Sequence, residues 1–193
     1  MNIEVSDIQD TAQTFVDDSQ VSASKGLSRR FHQGLKHSSE PVLAKTLECE
    51  GETFVPVSVL KNESDDTFRM WYTCQHQDWH SSLHCATSVD GLTWEKSALQ
   101  DDCGNLNTFD DGTPFNCQSC LVVHEPDDAD PSRRYKMIYY RNSYFLAYSG
   151  DGTVWTPHSE EPVWPSGSGD GLEECFFFLR DERVGKWRGF MRV

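Results

Sequence analysis

The chain lacks long apolar runs and is poor in basic residues. No stretch approaches the roughly 18 apolar residues that cross a bilayer, and residues 1–20 have no apolar core of a secretory signal. The chain has 17 Lys and Arg residues and 31 Asp and Glu residues, which gives a formal net charge of −14. Nucleic acids and anionic membranes need a basic footprint, so neither is expected as a partner. Without an export signal, a cytoplasmic location is the default expectation.

Motifs of several enzyme classes are also missing. There is no Gly-rich phosphate loop, no Gly-x-Ser-x-Gly elbow and no second C-x-x-C at zinc spacing. The seven cysteines are scattered through apolar segments, which favours buried free thiols over a disulfide framework. Cys117 and Cys120 form a lone C-x-x-C whose thiols should point to opposite faces of a strand. Because His76, His80 and His84 straddle a loop and a strand, no metal is predicted, and no cofactor.

The chain divides into an arm and a domain. Residues 1–28 are polar and acidic, rich in Ser, Gln and Asp, and carry only weak apolar spacing. Such a composition favours a flexible acidic N-terminal arm. Residues 29–193 hold most of the aromatic residues and the regular patterns described next, so we expect one domain there.

A nine-residue segment occurs twice, as Ala86–Trp94 and as Ala147–Trp155. Both copies read A-x-S-x-D-G-x-x-W. Asp-Gly between alternating segments predicts a tight hairpin turn, because Gly adopts positive φ without steric cost. The Ser hydroxyl can accept hydrogen bonds from free amides of the turn, and the Trp begins the return strand. We call each copy an elbow.

Further strands precede each elbow and recur near the C-terminus. Each unit reads as strand, acidic turn, aromatic strand, loop, strand, elbow and Trp strand, a four-stranded antiparallel meander like a propeller blade. This predicts an all-β partial β-propeller of about two and a half blades, at about 50–96, 115–157 and 172–193. A β-sandwich with coincidental hairpins is the alternative. A ring cannot close on this number of blades, so the missing remainder of its own propeller is an expected partner.

The segments Phe68–Tyr72, Ala86–Lys96 and Arg133–Gly152 resemble strands and hairpins of five-bladed propeller glycosidases. These include invertase-like, arabinanase-like and mannoside-phosphorylase-like enzymes, and the resemblance covers about residues 30–193. The sialidase Asp-box is a poorer match, because one residue between Asp and Gly is missing here. The resemblance implies a partial five-bladed propeller that hydrolyses or binds carbohydrate. A non-catalytic sugar-binding propeller and a protein-interaction propeller are the alternatives, and the chain by itself need not be active.

Glycoside hydrolysis needs two carboxyl groups, an acid and a base or nucleophile. The resemblance implies that they lie where the innermost strands begin. Glu174 resembles the acid of invertase-like enzymes, although Phe replaces the usual Pro two residues later. Glu52, or its neighbour Glu50, and Asp111, or its neighbour Asp110, are the positional candidates for the second carboxylate. The Asn-Asp-Pro-type nucleophile motif of those enzymes does not occur in the chain.

Four further residues are candidates for binding the substrate. His32 and His37 lie near the expected entrance of the first blade and can bind sugar hydroxyls. Trp71 and Trp164 can stack on a pyranose ring. Packing between blades is the competing interpretation for the tryptophans, because aromatic side chains dominate such cores. The expected ligand is therefore a carbohydrate.

Overall fold

The computed structural model describes the chain in two compact units, Met1–Ser39 and Glu40–Val193. The described residues are 21, 23–26, 28, 30–47, 49–62, 65–77, 81–96, 107–117, 119–164, 176–181 and 183–191. Described residues of the first unit are exposed and form neither helix nor strand. In the part of the chain that the structure covers, no helix is long and apolar enough to cross a membrane. The predicted limits of arm and blades remain predictions.

In its described residues, the second unit contains twelve strands and one 3-10 turn, Pro131–Arg133. The strands of the first sheet are Thr53–Asn62 (β1), Thr67–Gln75 (β2), Ser81–Ser88 (β3), Glu95–Lys96 (β4) and Asn116–Cys117 (β6). Those of the second sheet are Thr108–Phe109 (β5), Ser119–His124 (β7), Tyr135–Tyr140 (β8), Tyr144–Ser149 (β9) and Val154–Pro157 (β10). Phe176–Asp181 (β11) and Lys186–Met191 (β12) form a third, two-stranded sheet.

Each of the first two sheets contains an antiparallel meander in chain order. The order is β1-β2-β3-β4, with β6 on the start of β3, and β7-β8-β9-β10, with β5 parallel to β10. The β1–β2 register shifts between Pro56 and Ser58. Proline has no N–H for the ladder and is tolerated in strands at such irregularities, which accounts for the shift there.

The first strands of the three sheets lie next to one another. The backbone N–H of Val122 in β7 donates to the Ser58 hydroxyl of β1 at 2.9 Å. Arg180 of β11 donates to the carboxylate of Glu125, just after β7, at 3.0 Å. Successive sheets thus meet through their inner strands, as blades do around an axis. The predicted all-β partial propeller is confirmed: two complete meanders are followed by the opening hairpin of a third sheet.

The main core lies between the first two sheets. Large buried side chains from both interdigitate there: Trp71, Leu83 and Cys85 from the first sheet, and Val122, Met137, Tyr139 and Trp155 from the second. A smaller cluster covers the other face of the first sheet, where Met70, Tyr72, Cys74 and Ala86 pack against Leu43, Phe54 and Trp94. Burial of aromatic and aliphatic area on both faces is what stabilises the first sheet.

Both elbows have the predicted geometry, with nearly the same distances. The Ser88 hydroxyl accepts from the Gly91 N–H at 2.8 Å, and the Ser149 hydroxyl accepts from the Gly152 N–H at 2.8 Å. The two glycines have φ of +73° and +79°. Each elbow follows the third strand of its meander. The two copies of the sequence repeat are therefore structural equivalents.

The cysteines follow the predictions only in part. Cys74, Cys85, Cys117 and Cys120 are free and buried, as expected. Cys49 is disulfide-bonded, so the expectation of free thiols was wrong there. The expectation of opposite faces was also wrong, since Cys117 and Cys120 belong to the same core and share a hydrogen bond that, with burial, raises the pKa of Cys120. They lie in two separate strands, so strand alternation does not apply across them.

Candidate functional site

The inner strands begin at a common end of the first two sheets, which we call the entrance end. Thr53 of β1 pairs with Gln75, and Gln75 with Ser81 at the start of β3. Cys117 of β6 pairs with Ser81 as well, and β7 begins at Ser119, two residues later. Residues that precede β1 and β7 therefore come together at this end. Glu174 precedes β11 in sequence and lies outside the described residues.

Glu52 lies at the entrance end, directly before β1. Its backbone N–H donates to the carbonyl oxygen of Gln75 at 2.8 Å, which fixes the main chain to the end of β2. Its side chain is exposed, and one carboxylate oxygen is 3.4 Å from Nζ of Lys45. An ion pair of this length between exposed side chains is weak. The Glu52 carboxylate therefore remains accessible to a ligand at the start of the inner strand.

Glu50 is close in sequence but has a different environment. Its carboxylate is buried and accepts hydrogen bonds from four donors: Thr46 N (2.9 Å), Leu47 N (3.0 Å), Tyr72 OH (3.0 Å) and Lys96 Nζ (2.6 Å). Burial opposes ionisation, but these hydrogen bonds outweigh it and lower the pKa of Glu50 to about 2. Glu50 is therefore a charged structural residue and cannot supply a proton near neutral pH.

A chain of polar side chains runs along the entrance end of the first sheet. The Ser82 hydroxyl is 2.6 Å from Nε2 of His84 and 3.0 Å from Nε2 of His76. The His84 ring is buried and stacks against Tyr72, with ring centroids 5.5 Å apart. Sequence reasoning missed Ser82, although an i, i+2 spacing on one strand signals that Ser82 and His84 share a face. The described residues contain no group of three or more ligands for a metal ion.

Asp111 lies in the turn between β5 and β6. Its carboxylate accepts hydrogen bonds from the hydroxyl of Thr113 at 2.7 Å and its N–H at 2.9 Å, which lower the pKa of Asp111. Together with Arg141 and Glu160 it lines a cavity of about 520 Å³ beside the outer strands of the second sheet. Glu52 instead precedes the inner strand of the first sheet. Arg141 lies in the turn between β8 and β9, so the cavity of Asp111 also borders the entrance end.

The two candidate tryptophans have contrasting positions. Trp71 is fully buried between the first two sheets, and its indole N–H donates to the Gly152 carbonyl at 2.7 Å, so it has no face for a sugar. Trp164 is 45% exposed, and its carbonyl oxygen accepts from the N–H of Tyr144 at 3.1 Å. Tyr144 begins β9 opposite the end of β8, at the same end as the start of β7. Trp164 therefore lies at the entrance end.

His32 and His37 lie in the first compact unit, and both are exposed. Their role in substrate binding remains a prediction. The same holds for Glu52, Asp111, Trp164 and Glu174, since a position alone assigns no role. Of this set, Glu52 and Trp164 lie at the entrance end of the second unit, and Asp111 shares a cavity with Arg141 of the β8–β9 turn at that end.

No protein-family model matches the chain, and no curated protein matches it. The solved structures that are similar to this chain include the following three. A fructofuranosidase from Schwanniomyces occidentalis, complexed with fructosylnystose, is 15% identical over 76% of this chain and 30% of its own, with a TM-score of 0.51. An N-acetylgalactosamine deacetylase from F. plautii, in complex with blood group B trisaccharide, is 18% identical over 65% and 35%, with a TM-score of 0.43. A glycosyl hydrolase from Bacteroides ovatus is 20% identical over 57% and 32%, with a TM-score of 0.42.

The fold class follows from the first of these likenesses. The chain spans about a third of the length of the structures it matches. The fructofuranosidase matches over 76% of this chain, and at 15% identity the likeness concerns the fold alone. The expected resemblance to propeller glycosidases is confirmed at that level: this is an all-β chain with a glycosidase-like, partial propeller fold.

Proposed function

We propose that this chain is a carbohydrate-binding part of a glycosidase-type propeller and that its ligand lies at the entrance end. The observation that carries the proposal is the convergence of the starts of β1 and β7 at one end of adjacent sheets. Ligand sites favour concave places where several elements converge. The half-exposed ring of Trp164 at this end offers an apolar surface to the face of a sugar.

Hydrolysis is the finer part of the proposal and requires two carboxyl groups. Glu52 is the accessible carboxylate at the start of β1 and takes the role of base or nucleophile. The four donors of Glu50 favour a structural role for it, and Asp111, whose hydrogen bonds stabilise its charged form, is the alternative candidate for the base or nucleophile. Glu174 is proposed as the acid. A carboxyl separation of about 5–5.5 Å predicts retention at the anomeric carbon, and about 6.5–9.5 Å predicts inversion.

Calorimetric titration with oligosaccharides tests the binding proposal. Fructosylnystose and the blood group B trisaccharide are the first probes, because proteins of similar fold are complexed with them. Trp164→Ala should weaken binding by about tenfold if the ring stacks on a sugar. His158→Ala serves as the matched control, since this exposed aromatic residue contacts Tyr148 away from the proposed site. Failure of every saccharide to bind the folded protein would favour the protein-interaction alternative.

Release of reducing sugar separates hydrolysis from binding. Glu174→Gln and Glu52→Gln should each lower the rate by at least about 100-fold while binding persists, because general acid–base groups contribute about 10²–10⁴. Glu95→Gln is the control, since Glu95 is exposed on β4. Wild-type protein that binds sugar without cleaving it supports the non-catalytic alternative. Cleavage that survives both substitutions excludes the proposed pair.

A further inference from the structure

A second cavity lies at the opposite end of the first two sheets, which we call the exit end. It has a volume of about 370 Å³, within the range of small-ligand sites. Its lining comes from the end of β1, the start of β2, the end of β3, the end of β7 and the start of β8. The lining includes the side chains of Asn62, Arg69, Thr87, Val89 and His124.

Arg69 is the distinctive residue of this cavity. One guanidinium nitrogen donates to the backbone carbonyl of Asp151 at 2.5 Å, and the group lies over the rings of Trp71 and Tyr135 at 5.7 and 5.8 Å. All three partners are uncharged. In the described part of this acidic chain, no carboxylate lies within ion-pair distance of Arg69. A guanidinium has five N–H donors, so most of its capacity is left for a ligand.

The other charged groups of the cavity already have partners or face solvent. Nζ of Lys61 is 2.6 Å from the carboxylate of Asp66. The carboxylate of Asp65 accepts from the Thr67 hydroxyl at 2.7 Å and from its N–H at 3.1 Å. Glu95 is exposed on β4, where solvent and salt screen its charge. Among the described residues, Arg69 thus lines the cavity without forming an ion pair, although the carboxylates of Asp65 and Glu95 also line it.

Tyr135, over which Arg69 lies, is also in contact with His124. The His124 ring stacks on Tyr135, with centroids 4.3 Å apart and planes at 16°. Burial lowers the pKa of His124, and the positive charges of Arg134, Arg69 and Lys136 lower it further. Arg69 is thus one of the three cations whose charges act on His124. Its guanidinium, which forms no ion pair among the described residues, is the group of this cavity that suits an anionic ligand.

We propose that the exit-end cavity binds an oxyanion, a carboxylate, sulfate or phosphate group, with Arg69 as its principal partner. The planar guanidinium matches the paired oxygens of such groups through two parallel N–H donors. Asn62 and Thr87 add neutral polar side chains to the lining. The anion is either free or a substituent of a sugar acid. The proposal does not depend on the carbohydrate site, because the two sites lie at opposite ends of the sheets.

Calorimetry on the wild-type protein at low ionic strength, with sulfate, phosphate, glucuronate and glucose as probes, tests the proposal. The three anions should bind and glucose should not. Arg69→Gln should weaken anion binding by about tenfold or more, since hydrogen bonds to charged groups are the strong ones, while Arg69→Lys should retain part of it. Arg133→Gln is the matched control: Arg133 also lies over a tyrosine ring, that of Tyr148, and does not line the cavity. Glucuronate bound more tightly than sulfate identifies a sugar acid, and equal affinities identify a free anion.

A second pair of variants covers the case in which Arg69→Gln fails to fold. Val89 lines the cavity and is 79% exposed, so it tolerates a charged replacement. Val89→Asp should weaken sulfate binding by about threefold and Val89→Lys should strengthen it by about as much, as expected for one charge near the site in water. Equal effects of the two substitutions, or no anion binding by the folded wild type, would overturn the proposal. The proposal would also be overturned if glucose bound and none of the anions did, with glucose binding unchanged in Val89→Asp.

Discussion

The indole Nε1 of Trp71 lies 2.7 Å from the carbonyl oxygen of Gly152 and joins the first sheet to the elbow of the second. The equivalent glycine carbonyl of the first elbow also accepts a hydrogen bond from an indole: Nε1 of Trp94 donates to the carbonyl of Gly91 at 3.1 Å. In the first elbow the donor is local, whereas in the second it comes from the neighbouring sheet. The hydrogen bond of Trp71 therefore converts a local turn into a contact between blades.

Alanine at the two elbow glycines should have unequal effects. Both positions have positive φ, so each substitution costs about 1–2 kcal/mol of backbone strain. At Gly91 an added Cβ comes no closer than 4.0 Å to Phe68, but at Gly152 it would meet the Trp71 ring at 2.7 Å. Gly152→Ala should therefore lose about 1–3 kcal/mol more than Gly91→Ala in urea unfolding, through overpacking. Equal losses in the free energy of unfolding would show that the Trp71 ring moves aside at little energetic cost.

Removing the indole donor tests the same contact from the other side. Trp71→Phe leaves the buried carbonyl of Gly152 without its donor, at a cost of about 1–3 kcal/mol, and also reduces core volume. Trp94→Phe removes the corresponding donor from the more exposed elbow and should cost less. The free energies of unfolding of both variants provide the comparison. A larger loss for Trp94→Phe would contradict the role assigned to Trp71.

Stability should fall in acid because of Glu50. Its pKa is lowered from an ordinary value of 4.5 to about 2 in the folded chain, so between these values the unfolded state binds more protons. The contribution of Glu50 is complete above pH 4.5 and is lost as the pH falls to about 2, amounting to about 3 kcal/mol. Urea unfolding from pH 7 to pH 2.5 should show this slope, reduced in Glu50→Gln and unchanged in Glu52→Gln. An unchanged slope in Glu50→Gln would refute the assignment.

The ion pair of Glu50 and Lys96 should show strong coupling. Nζ of Lys96 is 2.6 Å from the buried carboxylate, and both side chains are largely removed from solvent. Lys96→Met leaves a buried charge without its partner and should cost about 3–5 kcal/mol. The double variant Glu50→Gln, Lys96→Met should be more stable than Lys96→Met alone. A double-mutant cycle measures the coupling energy, and simple additivity of the two losses would show that the pair is not coupled.

The local part of this fold was predictable from the sequence, and the reason is chemical. Asp-Gly turns, Ser caps and aromatic strands are specified within a few residues, so both elbows and the meanders around them follow from the pattern. The hydrogen bond from Arg69 to the carbonyl of Asp151 joins residues 82 positions apart. No local pattern encodes such a contact between two sheets.

The candidate site shows the same limit. Glu50 and Glu52 both precede β1, and the sequence cannot rank them. The difference between them comes from Lys96, 46 residues from Glu50 in sequence. Lys96 binds the carboxylate of Glu50, whereas the side chain of Glu52 is exposed. The prediction for the C-x-x-C pair was wrong for a related reason. The chain passes from β6 to β7 within the pair, so the side-chain alternation of a single strand does not apply to it.

The elbow serines offer a direct test of the equivalence of the two repeats. Each hydroxyl accepts from the following Asp N–H at 3.2 Å and the Gly N–H at 2.8 Å, and donates to the Asp carboxylate at 3.0 Å. Ser88 and Ser149 are both buried, so Ser88→Ala and Ser149→Ala should each cost about 1–2 kcal/mol in urea unfolding. Because the elbows lie in different sheets, the double variant should lose the sum of the two. A loss confined to Ser88→Ala would mean that the repeats match in geometry but not in energy, and that Trp71 rather than Ser149 stabilises the second elbow.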